Sequence, residues 1–138
     1  MVKIEQTGGG LTEEEILHGK NDAYGIYQIN WKGEGREYAF LSFDSLRAKG
    51  KAPERKDYQL VYSDILETDE NRDSLFIKFN LAHPSDFTGH SLSISDILVL
   101  KKNGEIHVSY VDMIGFVPLA DFYKESVLRS VEQITETT

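Results

Sequence analysis

The 138-residue chain contains no cysteine. That absence excludes disulfide frameworks, thiolate nucleophiles and cysteine-ligated zinc, and it fits a reducing compartment. No apolar run approaches the roughly 20 residues that a membrane-spanning helix needs. Basic residues are the scarcer charge: 15 Lys and Arg stand against 23 Asp and Glu, for a net charge of −8. Nonspecific nucleic-acid binding and attachment to an anionic membrane both reward positive charge, so neither is expected. There is no Gly-x-Ser-x-Gly elbow, and the run Gly8–Gly10 has no lysine at phosphate-loop spacing. The opening residues, MVKIEQTGGG, carry one lysine and no apolar stretch. They predict a flexible N-terminus over residues 1–10, no secretory signal and a cytoplasmic chain.

What is present suits one domain spanning residues 1–138, with 40% hydrophobic and 28% charged residues. The order of elements predicts an α+β fold: two antiparallel β-hairpins plus a further strand, packed with about four short helices. Thr12 and Glu15 have capping-box spacing ahead of a first helix. DAYGIYQINW then reads as a strand, with Tyr24, Ile26 and Gln28 on one face and Gly25, Tyr27 and Ile29 on the other. REYAFLSF reads as its return strand, which would complete the first hairpin. Ser42 can cap a short helix, YQLVYSDIL alternates as a strand, and NRDSLFIKFN groups Leu75, Phe76 and Phe79 on one helical face.

The second hairpin is marked by Asn103-Gly104, the favoured two-residue turn, between Lys102 and Glu105. That turn fixes a register. Val99 should face Val108, Ile97 should face Tyr110, Asp96 should face Val111 and Ser95 should face Asp112. A last helix is predicted over residues 118–135, with Leu119, Phe122, Tyr123, Val127, Val131 and Ile134 as its apolar stripe.

The stretch around that hairpin holds the residues that could carry chemistry: His90, Ser95, Asp96 and Asp112. Nucleophile, base and acid are all represented, and triads are recognised by geometry rather than by order. The register, however, sends Asp96 and Asp112 to opposite faces, which opposes two-carboxylate or two-metal chemistry unless a bulge near Ser95 flips the parity. His83, His90 and His107 with Asp86 or Asp96 have no recognised metal-ligand spacing, so no metal is expected. The loop residues His83, Asp86, His90, Ser91 and Ser93 form the expected binding set. Arg47, Lys49, Lys51, Arg55 and Lys56 make a basic run that is more simply a solvated helix end. Tyr24, Tyr27, Trp31, Tyr38, Phe40 and Phe43 either fill core or leave a face for a partner.

Several segments together resemble the YodL-like domain family: DAYGIYQI, REYAFLSFDSL, DYQLVYSDIL and, above all, FNLAHPSDFTGHSLSISDILVLKKNGEIHVSYVDMIGF. The resemblance covers residues 22–117, leaving the first and last helices outside it. Met113-Ile114 departs from it, because a more polar pair would be expected before Gly115-Phe116. Such domains occur in Gram-positive bacteria and their plasmids, conjugative elements and prophages, with no mechanism or cofactor assigned. The resemblance therefore implies a mobile-element-associated accessory or host-modulating protein with a protein partner, no cofactor and no small-molecule ligand. Two rival expectations stand beside it. One is a small hydrolase or metal-assisted nuclease built on His90, Ser95, Asp96 and Asp112. The other is an acidic inhibitor of a DNA-handling defence enzyme, using the carboxylates of TEEE and ETDEN.

Overall fold

The computed structural model describes residues 10–123. The chain runs α1 (Glu13–His18), β1 (Ala23–Ile29), a 3₁₀ turn (Glu34–Tyr38), α2 (Phe43–Ala48), a second 3₁₀ turn (Arg55–Asp57) and β2 (Tyr58–Ile65). It continues through α3 (Arg72–Leu81), β3 (Ile97–Lys102), β4 (Glu105–Val111) and β5 (Phe116–Leu119). The strands form one antiparallel sheet in the order β2-β1-β3-β4-β5. The fold is α+β, with three α-helices among the described residues. No helix among them is long and apolar enough to cross a membrane.

Local chemistry sets each helix start. Thr12 and Glu15 satisfy each other's backbone N–H groups at the head of α1. Ser42 accepts from Ser45 N–H at the head of α2, and Asn71 accepts from Ser74 N–H at the head of α3. The β3–β4 hairpin has the register that its turn dictates, from Lys102 opposite Glu105 to Ile97 opposite Tyr110. Asn103 and Gly104 both take the positive φ that such a turn requires, 53° and 83°.

The sheet is covered on both faces, which is why β1 is buried along its whole length. On one face Tyr24, Ile26, Tyr62, Leu98 and Val111 meet Leu75 and Phe79 of α3 and Phe87 and Leu92 of the following loop. On the other, Tyr27, Ile29, Ile97, Val99 and Tyr110 meet Ile16 of α1, Leu46 of α2 and Phe122. Gly25 makes room in this packing, since a β-carbon there would lie 2.9 Å from Ile16 Cδ1 and push that side-chain end aside.

Three expectations need correction. REYAFLSF forms no strand: Glu34–Tyr38 is a 3₁₀ turn, and the edges of β1 are taken by β2 and β3. Gly35 lets this segment press onto Asp57, whose Cβ would sit 2.6 Å from a side-chain carbon placed there. There is accordingly no first hairpin. The predicted last helix begins on residues that form β5, because Phe116–Leu119 pairs with β4 as an edge strand. The remainder of that helix, and most of the predicted flexible N-terminus, lie outside the described residues. Among the described residues the helix count is three, against about four expected.

The third correction concerns Ser95. It does not pair with Asp112. Ser95 N–H donates to Val111 O at 2.9 Å, while Val111 N–H donates to Asp96 O at 2.9 Å. Two residues thus oppose one, and Ser95 takes φ 86°. This is the G1 type of β-bulge, with serine where glycine is usual. It closes a tight turn in which Asp96 N–H donates to Ser93 O at 3.0 Å.

Candidate functional site

The sheet end near Ile29 and Ile97 gathers side chains from three distant segments. Gln28, the one polar side chain of the apolar β1 face, lies beside the bulge. Its amide nitrogen donates to His90 O at 2.8 Å and to Asp96 Oδ2 at 3.1 Å. Ser93 N–H donates to the same Asp96 oxygen at 2.9 Å. A β-carbon on Gly89 would lie 2.5 Å from Gln28 Oε1, so glycine permits this approach. Gln28 and Asp96 thereby fasten the loop 89–93 to the sheet.

The hydrogen bonds fix the imidazole. Both amide hydrogens of Gln28 are committed, so its 3.2 Å approach to His90 Nδ1 is a contact rather than a third bond. His90 Nδ1–H donates instead to Ser91 O at 2.7 Å. A carbonyl can only accept, so Nδ1 is a donor nitrogen of the ring. Asp96 Oδ2 is 3.9 Å from His90 Nδ1, beyond hydrogen-bond range. Asp96 itself is only 1% exposed. Burial pushes its carboxyl up to about 8, against the opposing effect of the bonds from Ser93 and Gln28. Burial thus favours its protonated, neutral form beneath the loop.

The remaining candidates are held apart. The Ser95 hydroxyl oxygen accepts from Phe40 N–H at 2.9 Å, and Ser95 O accepts from Tyr58 OH at 2.6 Å. Asp112 Oδ1 accepts from Phe43 N–H at 2.9 Å and Met113 N–H at 2.8 Å, tying the β4–β5 turn to the first residue of α2. Asp86 accepts from Tyr62 OH at 3.0 Å. His83 faces Pro84 O at 3.0 Å and packs edge-on against Phe87. Ser93 Oγ donates to Ser91 O at 3.1 Å. His90, Ser95, Asp96 and Asp112 therefore do not converge on one point. No group of three acidic or histidine side chains among the described residues could hold a metal ion.

The basic run and the acidic segments are partly consumed by internal pairs. Arg55 Nε donates to Glu13 Oε2 at 2.6 Å and lies over the Tyr27 ring. Lys51 lies over Tyr38, and Lys56 is 3.6 Å from Glu54. In the segment ETDEN, Glu70 pairs with Lys78 at 3.2 Å.

One surface feature was only half legible in the sequence. Of the six aromatics between Tyr24 and Phe43, Tyr24 and Tyr27 are core, whereas Trp31 and Phe40 are 49% and 51% exposed. Phe40 lies between Trp31 and His90, with ring centroids 5.8 and 6.0 Å away. It does so with φ 66°, a left-handed backbone that a bulky residue rarely adopts. Gln28, Trp31 and Phe40 thus join His90, Asp96 and Ser95 at one sheet end. A lone polar residue in an apolar strand was the only sign of Gln28's role, and none marked the backbone of Phe40.

Fold and motif together place the chain in a class. The YodL-like domain family matches it over residues 23–122, and the chain belongs to that family. No curated protein and no solved structure matches it.

Proposed function

We propose that this domain is a protein-interaction module whose contact surface comprises Trp31, Phe40 and the loop from Ala82 to Ser93. The observation that carries the reading is Phe40 itself. A solvent-facing phenylalanine in a left-handed backbone is costly in isolation, and such strain concentrates at ligand clamps and other functional sites. Here a buried serine holds it in place, and an aromatic ring flanks it on either side. Exposed aromatics of this kind supply most of the energy in protein contacts. The buried Asp96 and Gln28 act as supports for the loop, because a carboxyl so fully covered has no access to a substrate. An intracellular, accessory or host-modulating role carried on mobile elements is supported by family membership.

The test is a quantitative pull-down from the lysate of a cell that encodes the protein, comparing wild type with Phe40→Gly. Glycine accepts φ 66° without strain, so the variant should stay folded. A saturable protein partner, lost with Phe40→Gly, is the expected outcome. A partner captured equally well by both would overturn the assignment of this surface.

A further inference from the structure

Beside Phe40 the surface dips into an open groove of about 340 Å³. Its walls are Phe40, Phe76, Leu92, Ile94, Val111 and Met113, and among the described residues Asp112 is the one ionisable side chain that lines it. Met113 of the β4–β5 turn is 70% exposed, and the next residue, Ile114, is 92% exposed. Exposed Phe40 and Met113 beside one carboxylate, over a floor of buried Leu92 and Val111, are the pattern of a docking groove rather than of a solvated face. Asp112 uses Oδ1 for the amides of Phe43 and Met113. Its Oδ2 takes no hydrogen bond among the described residues.

We infer that the groove receives an amphipathic segment of a partner protein, with aliphatic residues against Phe40 and Met113 and a lysine or arginine on Asp112. This rests on the interaction reading above and adds the chemistry of the partner. Two observations select a basic occupant. The only charge among the described residues of the groove is negative, and the whole chain carries −8. A cation on Asp112 Oδ2 would make a charge-assisted hydrogen bond within an apolar surround, where water competes least. The same carboxylate and net charge disfavour a phosphate-bearing or anionic-lipid occupant. An amphipathic helix laid in an apolar groove is a recurrent way for a protein to recognise a peptide.

Trp31 is the chain's single tryptophan and packs beside Phe40, 5.8 Å between ring centroids, so its emission reports on the neighbourhood of Phe40. The experiment titrates the full chain with a synthetic amphipathic helical peptide bearing leucine on one face and lysine on the other. A twin peptide carrying glutamate in place of lysine is titrated in parallel. The variants are Asp112→Asn, which keeps the Oδ1 acceptor and removes the charge, and Asp69→Asn, which removes an exposed charge elsewhere.

Saturable binding of the lysine peptide with a blue shift of Trp31, weakened roughly tenfold by Asp112→Asn and unchanged by Asp69→Asn, is expected. Equal weakening by both variants would reduce the effect to general charge attraction and overturn the inference. Equal binding of the two peptides would overturn the basic partner while leaving the docking surface in place. No binding of either peptide to folded protein would overturn the groove as a peptide site. A Trp31 shift that grows with protein concentration alone, matched by dimer in sedimentation, would assign the groove to a second copy of the chain and likewise overturn it.

Discussion

The backbone N–H of Phe40 donates to the hydroxyl oxygen of Ser95 at 2.9 Å, and both residues hold left-handed backbones, with φ 66° and 86°. Two uncommon conformations, more than fifty positions apart in sequence, are thus locked by one bond. The bulge at Ser95 turns its hydroxyl toward the segment after the 3₁₀ turn, and the bond holds Phe40 at the surface.

This link separates two substitutions. Ser95→Ala keeps the unfavourable φ and leaves Phe40 N–H without its partner, for a cost of about 1 kcal/mol. Ser95→Gly loses the same bond but relieves a backbone penalty of about 1 kcal/mol. Urea denaturation should therefore rank glycine above alanine and close to wild type. Alanine as stable as glycine would mean that the bulge is not strained.

Asp96 gives a pH signature. An unfolded aspartate loses its proton near its ordinary value of 3.8, whereas the folded protein holds it to about 8. Between those values the native state binds the extra proton, so stability falls as pH rises, by at most about 1.4 kcal/mol per pH unit. Both hydrogen bonds to Asp96 land on one oxygen, which an asparagine can present equally well. Asp96→Asn should match wild type near pH 4 and exceed it at pH 8. Parallel stability curves for the two proteins, measured by denaturant midpoints across that range, would contradict a buried neutral acid.

Glu13 joins α1 to the segment before β2. Its carboxylate accepts from Arg55 Nε and from Tyr27 OH, each at 2.6 Å. Arg55 Nη1 also donates to Tyr58 O at 2.7 Å. Glu13→Gln and Arg55→Met should each cost about 1–3 kcal/mol, because each leaves a partly buried partner incompletely satisfied. A double-mutant cycle should give a combined loss smaller than the sum. Strict additivity would show that the pair contributes nothing as a pair.

Gly89→Ala should loosen the loop from the sheet, since its β-carbon would press on Gln28 Oε1. Amide exchange should then quicken at Ser93, whose N–H is held by Asp96, while the β3–β4 ladder keeps its protection. Unchanged exchange at Ser93 would show that Gln28 does not govern the loop.

The parts of this structure readable from sequence are those decided locally. Asn103-Gly104 set the β3–β4 turn, and with it the register from Lys102 to Ile97. Thr12 and Ser42 mark helix starts because their side chains bond within the next turn. The segment Arg36–Phe43 alternates like a strand but cannot pair with its neighbour β1, whose two edges are taken by β2 and β3. That competition is invisible in a local window. Gln28 bonds to His90 and Asp96 more than sixty positions away, and nothing in its neighbours announces them. Ser95 occupies a glycine's conformation without being glycine, so composition could not reveal the bulge that ends the register.

The most direct measurement of the interaction reading is site-specific photo-cross-linking in the cell that encodes the protein. A photoreactive phenylalanine analogue at position 40 should give one protein adduct, and the same analogue at Asp69, on the connector before α3, should give none. Adducts of equal yield from both positions, or none from position 40 while the protein remains folded, would contradict the assignment of the Trp31–Phe40–His90 surface as a docking site.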